Sequence, residues 1–208
     1  MSFATYSDLQ AAIIGQLHRN DLSTVVTDWI ALCEADFNKR LRITAMENRT
    51  TFTIDSEYED VPTGFREMRN LQLNTNPVIV LTYMSPQDID KRYAGVVGQP
   101  KHYAMVAGQI QFAPPPDGSY TGEIDYYKAL DPLSASATTN WMLTNNPDVY
   151  FYGSLLHSAP YIQNDRRMSV WETLYERALV RVEAEDKHKI QSGSMMEMRS
   201  DIIAGDIR

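Results

Sequence analysis

A single cysteine, Cys33, stands in 208 residues, which excludes an intrachain disulfide framework. Histidine is scarce too: His18, His102, His157 and His188 are the only four, and none lies at a metal-ligand spacing from another histidine, cysteine or carboxylate. Long apolar runs are missing. The longest candidate, Val78 to Leu81, is strand-sized, far short of the ~20 residues a membrane-spanning helix requires. Met1 to Asp8 lacks the basic start and apolar stretch of a signal peptide, so a cytoplasmic origin is expected. Positive charge is in deficit, with 19 Lys and Arg against 27 Asp and Glu and a formal net charge of -8. That disfavours tight general binding to DNA or RNA, which relies on cations set against phosphates. It still allows nucleic acid to pass an acidic wall without sticking.

What is present describes a folded chain: 43% hydrophobic and 22% charged residues suffice for a proper core. Ser7 followed by Gln10 reads as a capping box ahead of Leu9, Ala12, Ile13 and Leu17, and this first helix ends near Asn20. A second helix runs from about residue 22 to 43, with Val26, Ile30, Cys33, Phe37 and Leu41 on one face. Glu34, Asp36, Asn38, Lys39, Arg40 and Arg42 are expected mostly on its solvated side. The period then changes to that of strands. Residues 49–55, 66–73, 77–83, 101–106, 109–113 and 120–128 read as six of them. Ser85 and Pro86 open a short helix between the third and the fourth. Ala107-Gly108 predicts a tight hairpin, and the segment from Pro114 to Gly118 a longer one. After a small-residue linker, 132–139, Asn146-Pro147 starts a helix ending near Gln163. A final helix, about 165–190, puts Met168, Trp171, Leu174, Tyr175, Ala178 and Val182 on one face.

The fold expected is α+β: a helical bundle from both chain ends, residues 1–48 and 140–190, around an inserted antiparallel β-rich region, 49–139, with an extended C-terminal tail, 191–208.

Few residues invite chemistry. His157 lies three residues after Ser154 and, with Asp148, is the nearest approach to a hydrolase site, yet no nucleophile elbow surrounds Ser154. Cys33 falls on an apolar stripe, the place of a small buried hydrophobe. Asp55, Glu57, Glu59 and Asp60 match no calcium loop and read as a solvated turn. Arg40, Arg42, Arg166 and Arg167 could meet phosphate, but acidic neighbours make ion pairs the simpler role. The aromatic run from Tyr150 to Tyr161 has the spacing of helix packing. Neither a cofactor nor a metal is expected. The tail stands apart, because Met195, Met196, Met198, Ile202 and Ile203 have little nearby to pack against; it reads as a docking segment whose thioethers adapt to a partner's pockets.

Several ordered segments carry a resemblance. Gly98 to Ala104 is followed by Gly108 to Pro114, Tyr126-Tyr127, Asn140 to Thr144 and Pro147 to Leu156. Tyr6 to Leu9 and the helix around Trp171 to Tyr175 belong to the same series. In this order the chain resembles the head-to-tail adaptor proteins of tailed bacteriophages, the connector or gatekeeper components of the virion neck. The resemblance implies a non-enzymatic virion protein, made in the host cytoplasm. It implies a homo-oligomeric ring beneath the portal protein, twelvefold in that family, that continues the DNA channel and offers a platform to a tail or nozzle protein, with no membrane partner. By position, the tail from Gly193 to Arg208 corresponds to the family's portal-docking segment. Met195, Met196, Met198, Ile202 and Ile203 are expected as its anchors, with Arg199 and Arg208 as charge partners. A neck or tail-completion protein that does not touch the portal, a small hydrolase and a nucleic-acid module are the alternatives.

Overall fold

The computed structural model describes residues 3–162 and 167–191. The chain is α+β, with helices from its two ends packed together and two β-sheets between them in sequence. Helix α1 spans Tyr6–Leu17 and α2 spans Val26–Arg40. The cap of α1 is Thr5, not Ser7: the Thr5 hydroxyl accepts from the Asp8 N–H while the Asp8 carboxylate accepts from the Thr5 N–H. Ser7 sits inside the first turn, and a complete reciprocal box leaves it no capping role. The predicted apolar positions of both helices are all buried.

Two residues of α2 depart from expectation. Glu34 and Asn38 are buried rather than solvated, one helical turn apart. Each captures backbone of the segment returning from the sheets: Leu133 N–H donates to the Glu34 carboxylate and Leu130 N–H to the Asn38 carbonyl oxygen. A buried loop must find acceptors for its amides, and these two side chains supply them.

Strands β1 (Glu47–Ile54), β3 (Phe65–Leu73), β4 (Ile79–Val80) and β8 (Tyr120–Lys128) form one antiparallel sheet in the order β1-β8-β3-β4. Strands β2 (Tyr58–Asp60), β5 (Thr82–Tyr83), β6 (His102–Val106) and β7 (Gln109–Ala113) form the other, ordered β2-β7-β6-β5. Ile54, Leu71, Leu73, Ile110, Phe112, Ile124 and Tyr126 from both sheets share one core, so the sheets pack face to face. The run 77–83, expected as one strand, divides at buried Leu81. Its first half pairs with β3, and its second half crosses to the other sheet beside β6.

Ala107 and Gly108 both take positive φ, as a two-residue hairpin between β6 and β7 demands. The Pro-rich connection that follows is not a hairpin. β7 pairs with β2 and β6, whereas β8 pairs with β1 and β3, so Pro114 to Gly118 carries the chain from one sheet to the other. Helix α3 (Pro86–Tyr93), capped by Ser85, covers the far side of the second sheet through Ile89, which packs with Ala104 and Ala113.

The C-terminal half supplies α4 (Trp141–Asn145), α5 (Pro147–Ile162) and α6 (Met168–Gln191). The short α4, capped by Asn140, has too few residues to show a period in sequence. Trp171, Tyr175, Ala178 and Val182 of α6 are buried as predicted; Leu174 is half-buried, Met168 is about half exposed, and Leu179, not expected on this face, is buried. Phe37 of α2 meets the Tyr150 ring of α5 edge to face at 5.2 Å. Tyr175 of α6 donates a hydrogen bond to the Asp36 carboxylate at 2.7 Å. The core of this bundle is separate from that of the sheets.

Candidate assembly surfaces

The residues weighed for chemistry are not brought together. Asp148 pairs with Arg181 rather than with His157. The Nε2 of His157 and the Oγ of Ser154 are buried without a hydrogen-bond partner among the described residues, and burial holds the imidazole below its ordinary value. Cys33 is fully buried, which pushes its thiol pKa far up; its sulfur faces the Val149 carbonyl at 3.6 Å. The acidic segment is not a plain solvated turn: Tyr58–Asp60 is strand β2, and its carboxylates are spent on one neighbour and on side chains of β7. Glu59 accepts from Ser56 Oγ at 2.9 Å, Asp60 from Gln109 and Glu57 from Gln111. No group of three potential metal ligands occurs among the described residues.

The basic residues are likewise engaged. Arg40 holds Glu176 with two hydrogen bonds, and Arg42 reaches Glu67 at 2.8 Å and the Leu41 carbonyl at 2.7 Å. Arg167 lies over the Trp171 ring at 5.0 Å and donates to the Gln16 carbonyl. Arg166 lies outside the described residues.

What the chain presents instead is a set of surfaces. The outer face of the first sheet is a lattice of paired charges. Arg49 bridges Glu123, Arg69 bridges Glu47 and lies over the Tyr127 ring, and Gln72 and Asn74 also donate to Glu123. A cleft of about 460 Å³ opens there between Glu47, Arg49, Arg69 and Asp125. A wider groove of about 620 Å³ runs between the start of α1 and the linker, lined by Tyr6, Gln10, Leu133 and Thr138. The outer face of α6 exposes Val170 and Val180. At the free edge of the sandwich, Val78, Val80 and Tyr83 are each more than half exposed.

The C-terminal part of α6 is anchored to the rest of the fold. Near the end of α6, the buried Asp186 carboxylate accepts from the Thr44 N–H at 3.0 Å and from the Thr44 hydroxyl. Lys189 lies over the Trp141 ring at 5.6 Å. The last turns of α6 are therefore tied to the junction between α2 and β1 and to α4. The predicted anchors Met195, Met196, Met198, Arg199, Ile202, Ile203 and Arg208 lie outside the described residues. Sequence reading missed Asp186 and Thr44, because 142 residues separate them and neither stands in a motif.

Fold and surfaces together define an α+β protein whose distinctive features are exposed edges and paired charges rather than a reactive cluster. The chain belongs to the SU10 adaptor protein family, whose description it matches over residues 4–198. It is thus a bacteriophage adaptor and a virion component, in agreement with the resemblance read from the sequence. No curated protein matches it. Among the described residues no helix is long and apolar enough to cross a membrane.

Proposed function

We propose that this chain is a non-enzymatic head-to-tail adaptor that forms a ring beneath the portal, continues the DNA channel and carries the next tail or nozzle protein. The observation that carries this reading is the family match across residues 4–198. The α6 anchorage supports it: the Asp186–Thr44 bonds hold the root of the segment 192–208 on a fixed base. The bundle, 1–48 and 140–190, supplies the body of the ring subunit, and the β-rich part, 49–139, faces other components. Met195, Met196, Met198, Ile202 and Ile203 fill apolar pockets on the portal, with Arg199 and Arg208 pairing to its carboxylates.

Each tail alone binds modestly, and many tails on one ring make the joint hard to reverse. The excess of acidic over basic residues suits a channel that DNA traverses without being held. The test is the mass of the purified protein, alone and mixed with its cognate portal. A large complex that disappears when residues 194–208 are deleted, from a variant that still folds, is the expected result. Joining that survives the deletion refutes the docking role, and no joining by the intact chain points to a neck protein that does not touch the portal.

A further inference from the structure

The two free edges of the first sheet match one another. In the order β1-β8-β3-β4 every neighbour is antiparallel, so β1 and β4, at opposite ends, run in opposite directions. A second copy placed beside the first with its sheet in the same sense would set its β1 antiparallel to this β4, the more stable kind of pairing.

The hydrogen-bond register reaches the same residues on both edges. The Leu81 N–H donates to the Leu71 carbonyl, and the Asn74 N–H to the Thr121 carbonyl. Because bonded and non-bonded pairs alternate along an antiparallel ladder, the backbone groups of Val78 and Val80 turn away from β3. By the same alternation, those of Thr51 and Thr53 turn away from β8. Thr51, Glu123, Gln72 and Val80 form one row across the sheet, on the outer face where Gln72 reaches Glu123. Thr51 and Val80 are therefore the two ends of a single row, and both are exposed.

Among the described residues, what guards these ends is the shortness of β4, two residues long. Native proteins usually guard an exposed edge with lysine, proline or an inward charge. From Val78 to Tyr83 there is no charge and no proline, and the last half of β1, Thr51 to Ile54, is uncharged. Glu47 and Arg49, earlier on β1, are neutralised by Arg69 and Glu123.

We propose that β4 of one copy pairs with β1 of the next, joining the charged outer sheets of neighbouring subunits into one continuous β-belt; this rests on the ring reading above. A head-to-tail contact of this kind uses two different surfaces of each copy, which is what ring closure requires. The edge that β4 and its flanks offer, Val78 to Leu81, is only about 13 Å long and falls short of the roughly 1,200 Å² that a lasting pairwise complex buries. Free chains therefore pair weakly, and the belt closes where the portal gathers them.

Cysteine trapping tests this, since Cys33 is fully buried and the introduced thiols would be the only exposed ones among the described residues. Paired strands bring opposing Cα atoms to about 5.5 Å, within the range a disulfide spans. In assemblies formed with the portal and mildly oxidised, Val80→Cys combined with Thr51→Cys should give a ladder of covalent dimers, trimers and larger species. Val78→Cys with Thr53→Cys should do the same, and each single variant should stay monomeric. Dimers from Val80→Cys alone would mean a two-fold edge contact and overturn the proposal. Assemblies of full mass with no ladder from either double variant overturn it while leaving the ring reading intact. If the unaltered chain forms no ring, the ring reading fails and the belt fails with it. As a second arm, Val80→Lys places a charge on the edge. It should leave the melting temperature unchanged and raise the concentration needed for assembly by about tenfold or more, because a small loss recurs at every contact.

Discussion

Gly153 on α5 faces both α2 and α6, and replacing it tests the packing directly. A Cβ added there would lie 2.4 Å from Cys33 Sγ on α2 and 2.8 Å from a ring carbon of Tyr175 on α6. Ordinary carbon contacts are about 3.5–4.0 Å, so both neighbours must move. Alanine in a helix interior gains about 1 kcal/mol over glycine. Overpacking a filled core costs about 1–3 kcal/mol. The clash cancels or outweighs the propensity, and Gly153→Ala should lose about 0–2 kcal/mol net. For a chain of this size that lowers the melting temperature by up to about 8 °C.

Gly15 on α1 is the control, since nothing lies within 4 Å of a Cβ built there. Gly15→Ala should therefore stabilise by about 0.5–1 kcal/mol. Cys33→Ala removes the nearer obstacle. In that background Gly153→Ala meets only the Tyr175 ring, and the double-mutant cycle should show a favourable coupling of about 1 kcal/mol. Denaturant melts of the four variants of the cycle measure it. A Gly153→Ala protein as stabilised as Gly15→Ala, or a cycle with no coupling, would refute the reasoning.

Three further outcomes follow from buried polar groups. Glu34→Ala strips the acceptor from both Leu133 N–H and the Tyr150 hydroxyl. It should cost about 2–4 kcal/mol in chemical denaturation, while Glu34→Gln, which keeps an oxygen, should cost less. Asp186→Asn should loosen the end of α6 by weakening its bonds to Thr44, read as faster amide exchange at Thr44 with little change in α1. The third concerns pH. Burial lowers the His157 pKa from 6.5, so the unfolded chain binds that proton more readily, and stability falls as pH drops below about 6.5. Burial raises the Glu34 pKa above 4.5, so its contribution runs the other way, rising as pH falls toward 4.5. His157→Gln should flatten the first slope, and Glu34→Gln the second, in melts across that range.

Much of this protein was legible in its residues. The apolar stripes of α1 and α2 and the Ala107-Gly108 hairpin are local patterns, dictated by a 3.6-residue period and by positive φ. So is the Ser85-Pro86 start of α3. The order of segments also reached the adaptor family, which the match over residues 4–198 supports. The roles of Glu34 and Asn38 were not legible, because their partners are backbone amides more than ninety residues away. The crossing at Leu81 and the passage from Pro114 to Gly118 were hidden for a similar reason. A strand's period tells which side chains face a core but not which sheet its backbone joins.

Local chemistry therefore determined by itself where the long helices and most strands form and which of their faces are apolar. Only tertiary structure decided that two sheets share one core, that Asp148 belongs to Arg181 rather than His157, and that Thr51 and Val80 end the same row. Each of those depends on pairings between distant segments, whose hydrogen bonds and contacts exist only once the chain has closed upon itself.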